Sequence, residues 1–333
     1  MVRIVDVAKK AKVSTATVSR VLSKPGTVTE ETTEKVLKAI KELNYQPNAL
    51  ARQLRRLETK TVLVVVPDIT NTFFSKVLRG IESLAVINGY QVLLGDAGND
   101  IERENGYLNI LRQKKADGII LLTARMKSKS VEEMAFEYPV VLACEYIEGS
   151  TIPTVSIDNI SGARKGTEHL INLGHKRIGF ISGPLDSVLG QDRLKGYCQA
   201  MRRYNLTVEP ILIQEGDFSY ESGFKMMMKF LALNDPLTAV FAANDEMAFG
   251  AINAIKSKGL SVPHNISVIG FDDIKFSSIF EPALTTIAQP AFEIGTKAME
   301  LLIRLMNREK IERHQYMLED QLITRDSCSK YIV

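Results

Sequence analysis

Apolar residues recur along this chain with two different periods. Over the first 45 residues the spacing is helical. Ile4, Val7, Ala8 and Ala11 share one face of a helix over 4–11. Lys12-Val13 makes a tight connection, and Ser14 offers a hydroxyl to cap a second helix reaching about Leu22. Ser23-Lys24-Pro25-Gly26 breaks that helix. Thr29 is placed to cap a third, whose first turns hold Glu30, Glu31 and Glu34, where the helix dipole favours negative charge. Val36, Leu37, Ile40 and Leu43 form its apolar face. Two short helices joined by a tight turn predict a helix-turn-helix. Arg3 has no oxygen with which to cap the first helix, so that end is expected to fray or to lean on a partner.

From residue 60 the pattern changes. Short β-rich apolar runs alternate with longer amphipathic stretches. The runs are Val62–Val66, Gln91–Gly95, Gly118–Leu122, Val140–Cys144, Arg177–Ser182, Ile211–Gln214, Ala239–Ala242 and Ser267–Phe271. Helical patterns separate most of them: Phe74–Gly89, Arg103–Lys115, Ile160–Leu173, Arg193–Tyr204, Tyr220–Leu233 and Glu246–Gly259. Buried parallel strands joined by crossover helices explain this alternation. The units exceed one comfortable sheet, so two similar halves are expected, with a break near Asp158–Gly162. A last helix over Phe292–Met306 and one last strand pattern near Tyr316–Thr324 complete the chain.

Composition narrows the class. The chain has 333 residues, 45% of them hydrophobic and 24% charged, as in ordinary globular proteins. The run Val62–Val66 is far short of the roughly 20 apolar residues of a membrane span, so no membrane partner is expected. The first residues hold no apolar secretion segment, and the three cysteines are widely spaced without C-x-x-C, which together predict a cytoplasmic location. The net charge of +3 hides an asymmetry. Residues 1–60 carry 13 Lys+Arg against 6 Asp+Glu, a net +7, and the remainder is −4. A basic head on an acidic body fits a nucleic-acid-binding unit attached to something else.

The second helix is the groove reader by position. Thr15 offers a hydroxyl and a methyl, Ala16 a methyl for thymine, and Arg20 a fork for guanine O6 and N7. Ser14, Thr17 and Ser19 are short hydroxyls suited to phosphates or to capping. The bland alternative is a small helical bundle that binds nothing. After it, Asn48–Arg56 contains good helix formers and the arginines Arg52, Arg55 and Arg56, but a helix this short is marginal in water. It reads either as a flexible basic linker or as a helix that DNA and a second copy would order.

In parallel sheets, ligands sit beyond the carboxyl ends of the strands. Those ends here supply Phe73 and Phe74, Ser182-Gly183-Pro184 followed by Arg193, Asn244-Asp245, Asp272-Asp273 and Gln289-Pro290. Aromatics, an arginine, carboxylates and amides suit a neutral polyhydroxylated molecule. An enzyme on a Rossmann-like fold is the competing class. Its chemistry is not found: there is no G-x-x-x-x-G-K with Ser or Thr, no G-x-G-x-x-G after a strand, no H-E-x-x-H and no G-x-S-x-G. No cofactor and no metal are therefore expected. A transport receptor is a third option, opposed by the basic head.

Several motifs are similar to the lactose/galactose repressor (LacI/GalR) family of bacterial transcriptional regulators. Asp6-Val7-Ala8, Val13-Ser14, Ala16-Thr17-Val18-Ser19-Arg20-Val21-Leu22, and Leu43 to Asn48 with Ala51-Arg52 resemble its DNA-binding signature. Pro67-Asp68-Ile69 to Phe74, Gly174-His175-Lys176-Arg177-Ile178, Asn244-Asp245-Glu246-Met247-Ala248 and Ile269-Gly270-Phe271-Asp272-Asp273 resemble its effector domain.

The resemblance implies an all-α helix-turn-helix head over 1–46, a hinge helix over 47–58, and an α/β effector and dimerisation body over 59–333. The body would consist of two Rossmann-like parallel-sheet subdomains as in periplasmic binding proteins, about 59–160 plus 292–320 and 161–291 plus 321–333. Asn48, Ala51, Arg52, Leu54 and Arg55 would join the DNA contacts, with Leu54 wedged into a minor-groove step. Arg55 stands where the family often has a small residue. Effector positions would fall on Phe73, Phe74, Arg193, Phe218, Asn244 and Asp272. The implied partners are double-stranded operator DNA, a second copy of the chain in a homodimer, and a small effector, a nucleoside or a monosaccharide. Between Ser182 and Gln191 there is no Lys or Arg, which disfavours an anionic effector. No leucine heptads follow Ser327, so a dimer is expected rather than a tetramer.

Overall fold

The helical spacing of the head becomes three helices, α1 (Ile4–Ala11), α2 (Thr15–Ser23) and α3 (Glu30–Glu42). The structure is a computed structural model that describes residues 2–23, 26–45, 58–123, 125 and 128–332. One compact unit ends at Thr59 and a second begins at Lys60. In the first, Val7, Ala8, Ala11, Val18, Val21, Val36 and Ala39 form a small core. Ser14 caps α2 as expected, its Oγ accepting from the Thr17 N–H at 3.1 Å. Three expectations are corrected. The start of α1 is not left open, because the Asp6 carboxylate accepts from the Arg3 N–H at 2.8 Å. Thr29 stands before α3 but makes no capping bond, its hydroxyl donating instead to Thr32 Oγ1 at 2.9 Å. Leu37 is 51% exposed, because the buried stripe of α3 passes through Val36 and Ala39.

The second unit holds two six-stranded sheets. The first contains β1 (Thr61–Val66), β2 (Gln91–Asp96), β3 (Gly118–Leu121), β4 (Val140–Ala143), β5 (Thr154–Ile157) and β11 (Gln315–Leu318). Its order is β11-β5-β4-β3-β1-β2, and every pairing is parallel. The second contains β6 (Ile178–Ser182), β7 (Ile213–Glu215), β8 (Ala239–Ala242), β9 (Ser267–Asp272), β10 (Thr285–Ala288) and β12 (Gln321–Ile323). Its order is β12-β10-β9-β8-β6-β7, parallel except for β12 against β10. The central strands are buried throughout, which is why their sequences read as continuous apolar runs.

Helices α4 (Phe73–Ile87), α5 (Ile101–Arg112), α6 (Ser128–Glu137) and α11 (Ala291–Met306) alternate with or follow the strands of the first half. Helices α7 (Asn159–Asn172), α8 (Val188–Arg203), α9 (Tyr220–Leu231) and α10 (Asp245–Ser257) do so in the second. The chain passes between the halves three times: from β5 to α7, from β10 to α11, and from β11 to β12. The single last strand expected near Tyr316–Thr324 is thus two strands in different sheets, divided at Glu319-Asp320. Asp320 is buried there and accepts from Lys165 Nζ at 2.9 Å. Strand β5 and helix α6 were not among the expected elements. No helix among the described residues is long and apolar enough to cross a membrane.

Helices α4 and α11 touch backbone to backbone through two glycines. A Cβ on Gly295 would lie 2.0 Å from the Val77 carbonyl oxygen, and one on Gly80 2.1 Å from that of Phe292. Gly106, at an exposed position of α5, has nothing within 4 Å of its Cβ position. Gly295→Ala is expected to destabilise the body by about 1–3 kcal/mol through overpacking. Gly106→Ala is expected to stabilise it by about 0.5–1 kcal/mol. Thermal unfolding of the two variants gives opposite shifts if the helix contact is as close as this.

Candidate functional site

In the head, α2 presents one side to solvent. Ser14, Thr15, Ala16 and Arg20 are exposed, Thr17 and Ser19 half-buried, and Val18 packs inward. All six candidate readers in this stretch therefore leave surface free for a groove. Their hydroxyls are partly committed: Ser14 Oγ and Thr17 Oγ1 share a hydrogen bond of 2.9 Å in addition to the cap. Asn48, Ala51, Arg52, Leu54 and Arg55 lie outside the described residues.

In the body, the two sheets point their carboxyl ends at one cleft of about 210 Å³. Strand order reverses beside β1 in the first sheet and beside β6 in the second, where a crevice opens in such folds. The loop after β1 brings Asp68, Asn71, Phe73 and Phe74. The segment after β6 brings Arg193 on α8, and β7 is followed by Asp217 and Phe218. Asn244 follows β8, Asp272 ends β9, and Gln289 follows β10. Phe73, Phe74, Arg193, Phe218, Asn244 and Asp272 all line this one cleft.

Each side chain is held by its neighbours. Phe73 and Phe74 meet edge to face, centroids 5.3 Å apart, and serve both core and cleft wall. Phe218 sits at φ 70°, its carbonyl accepting from Asn244 Nδ2 at 2.9 Å. Its ring lies where Gly183 would carry a Cβ, at 2.0 Å, so only glycine fits there. Asn244 also caps α10, its Oδ1 accepting from the Met247 N–H at 3.0 Å. Arg193 is 3% exposed. Its Nε donates to Asn159 Oδ1 at 2.9 Å, its Nη1 donates to the Ala243 carbonyl and lies 3.5 Å from Asp272 Oδ1, and its guanidinium covers the Phe271 ring at 3.8 Å.

Asp272 accepts from Gln289 Nε2 at 2.7 Å. Burial pushes its carboxyl up to about 6, with Arg193 pulling the other way. Beneath it, Asp245 is fully buried and accepts from Thr286 Oγ1 at 2.5 Å, Ser277 Oγ at 2.6 Å and the Ile274 N–H at 3.0 Å. Burial and then the Asp272 charge push Asp245 up to about 8, against those three donors. Burial, with Glu145 next, raises the Cys144 thiol well above its usual range, so this cleft cysteine is neutral.

Hydrogen bonds also join the two halves across the cleft. Thr72 Oγ1 donates to Glu246 Oε1 at 3.1 Å, Lys76 Nζ to the Asp273 carbonyl at 2.8 Å, and Tyr146 OH to Asp192 Oδ2 at 2.9 Å.

The structure adds cleft residues not among the expected ones: Asn99 after β2, Arg125 after β3, and Cys144-Glu145 after β4. The runs leading to them were visible, so the signal was there in the residues that follow each run. His175 is no base at this site. It is pinned between Thr238 Oγ1 at 2.9 Å and the Ser329 carbonyl at 3.1 Å. Among the described residues, no cluster of three His, Cys, Asp or Glu could hold a metal ion.

Comparison with known proteins agrees with this architecture. Residues 3–48 match the family described as bacterial regulatory proteins, lacI family, and residues 167–328 match a periplasmic binding protein-like domain. The chain is 44% identical over 323 residues to the HTH-type transcriptional repressor CytR of Escherichia coli (strain K12), covering 97% of this chain and 95% of the relative. It is 36% identical over 333 residues to the HTH-type transcriptional repressor PurR of Aliivibrio salmonicida, covering 99% and 100%. The lac repressor dimer bound to operator and the anti-inducer ONPF superposes with a TM-score of 0.89 at 32% identity, over 98% of this chain and 99% of that one. These relatives are named as regulators and not as enzymes. With a helix-turn-helix head and a periplasmic-binding-protein-like effector domain, the chain belongs to the LacI family of bacterial regulatory proteins and is a transcriptional repressor.

Proposed function

We propose that this repressor binds a pseudo-palindromic operator as a homodimer in the cytoplasm, and that a small uncharged effector, a nucleoside or a monosaccharide, sets its DNA affinity. The observation that carries this reading is the convergence of Phe73, Phe74, Arg193, Phe218, Asn244 and Asp272 on one cleft between two sheets. Ring faces for a base or sugar, with a carboxylate and a guanidinium for paired hydroxyls, are the chemistry such a guest needs. The charge balance supports an uncharged guest. Among the described residues, Asp68, Glu145, Asp217, Glu221, Glu246 and Asp272 line the cleft against two cations, Arg125 and Arg193. A phosphate or carboxylate would meet net repulsion there.

Dimerisation is supported by an apolar face in the first half. Val86 is 65% exposed and Ile87 80% at the end of α4, with Leu93 42% and Leu94 38% on the edge strand β2. An exposed apolar edge strand invites pairing unless something covers it. A second copy of the chain would cover it and set two heads on two half-sites. Residues 47–58, with Asn48, Ala51, Arg52, Leu54 and Arg55, are the hinge in this reading. They order on operator DNA and respond to closure of the cleft.

The reading is tested by a thermal-shift screen of nucleosides and sugars on the purified chain, followed by a gel shift on its upstream DNA with and without the hit. A strict monomer without sequence preference, whatever metabolite is supplied, would overturn it. Asp272→Ala is expected to abolish the response of DNA binding to the hit ligand. Arg20→Ala is expected to relax preference at one base position by about 1–3 kcal/mol, read from a set of single-base operator variants. Effector affinity is expected to fall as pH drops through about 6, where Asp272 takes up its proton and can no longer accept two hydroxyl donors. Calorimetric titration across this range, with Asp272→Asn as the pH-insensitive control, checks the sign.

A further inference from the structure

The cleft is rich in carboxylates, but a second cavity beside it has the opposite character. It measures about 370 Å³ and opens between the start of α4 and the short 3-10 turn Lys275–Ser278. Lys76, Lys275 and Arg325 line it together with one carboxylate, Asp273. Asp273 is already shared. Arg325 Nη2 donates to its Oδ1 at 2.7 Å, and Lys76 Nζ to its carbonyl at 2.8 Å. The Lys275 ammonium is exposed and makes no hydrogen bond or ion pair among the described residues. Three cations against one carboxylate leave an excess of positive charge, with most of the ammonium donors unused. The Phe276 ring, 48% exposed, forms an apolar wall beside them.

We propose that this cavity is a second ligand site, for the phosphate group of a small phosphate monoester, gripped by Lys76, Lys275 and Arg325 with its organic part against Phe276. A phosphate dianion relieves the mutual repulsion of the cations and supplies the acceptors they lack. The site also joins the two halves. Lys76 belongs to α4 of the first half, whereas Lys275 and Arg325 belong to the β9–β10 connection and the segment after β12 in the second. An anion touching both sides adds to the bond that already links Lys76 to Asp273, so it favours the arrangement in which these two elements are joined. Occupancy here and in the cleft then reinforce each other, and by linkage the effect is reciprocal. Only this coupling rests on the proposed effector reading; binding of the anion does not.

The test is thermal unfolding of the full chain, titrated with inorganic phosphate or ribose 5-phosphate at ionic strength held constant with sodium chloride. The wild type is expected to show a saturable rise in melting temperature, reached at lower concentration with ribose 5-phosphate. Lys275→Glu should weaken that response at least tenfold. Lys258→Glu makes the same charge change at an exposed lysine outside the cavity and should leave the response intact. Equal losses in the two variants, or no saturable wild-type shift at constant ionic strength, would overturn the site. Equal affinity for both probes would overturn the assignment to a monoester. An intact site that does not change the affinity of the cleft ligand would overturn the coupling alone.

Discussion

A buried guanidinium sets the terms for the rest of the body. Taking the Arg193 charge out of water costs several kcal/mol unless partners surround it. Its partners are Asn159 on α7, the Ala243 carbonyl after β8, Asp272 at the end of β9, and the face of Phe271. All come from the second half. Loss of Asp272 would leave the charge without its counter-ion, and loss of a neutral partner would leave part of the guanidinium unsatisfied, so these elements hold one another in register. Asp245 extends the constraint downward: it ties the start of α10 to β10 and to the turn before Ser278, and it leaves no space for a Cβ on Gly270, which would lie 2.2 Å from its Oδ1. The floor of the cleft is therefore a pre-organised polar network that a guest meets already formed.

The other wall is built differently. The first half contributes ring faces and three bonds across the gap, from Thr72, Lys76 and Tyr146. A single hydrogen bond is worth about 0.5–1.5 kcal/mol net. Three of them amount to a few kcal/mol, comparable with the coupling of about 1–3 kcal/mol that separates two functional states in an allosteric protein. In the proposed reading, this fixed floor and lightly latched wall are the two-state element that ligand binding biases. The three chain crossings near β5, β10 and β11 join the halves, and Lys165–Asp320 ties the third of them to α7.

Most of the fold was legible in the sequence because buried parallel strands impose continuous apolar runs. Val62–Val66, Ala239–Ala242 and Ser267–Phe271 read directly as strands. Their carboxyl ends then pointed to Phe73, Phe74, Arg193, Asn244, Asp272 and Gln289, since the fold class dictates where ligands sit, whereas Phe218 came only through the family resemblance. What escaped did so for local reasons. Strand β5 has only four residues and includes Thr154 and Ser156, buried through pairing with a strand 161 positions on, Gln315↔Thr154 in register. Helix α6 carries Phe136 at 93% exposure, which blurs its apolar face. The division of the last strand at Asp320 is a tertiary event with no periodic signature, and only the family resemblance, with its break between 320 and 321, pointed to it. Asp6 replaced Arg3 at the start of α1 because a cap can be supplied from inside the helix as well as before it.

The energy scale of the cleft also bears on how a body could speak to a head through so short a connection. In the proposed reading Asn48–Arg56 is the hinge, and its nine residues are fewer than an isolated helix needs to sustain itself in water. A segment near balance responds to small inputs. The same few kcal/mol that latch the cleft would be lost on a stable helix, whereas on a marginal one they change its population many-fold, since about 1.4 kcal/mol is a factor of ten. In the proposed reading, marginal stability at the hinge is therefore required: a stronger helix there would grip DNA whatever occupied the cleft.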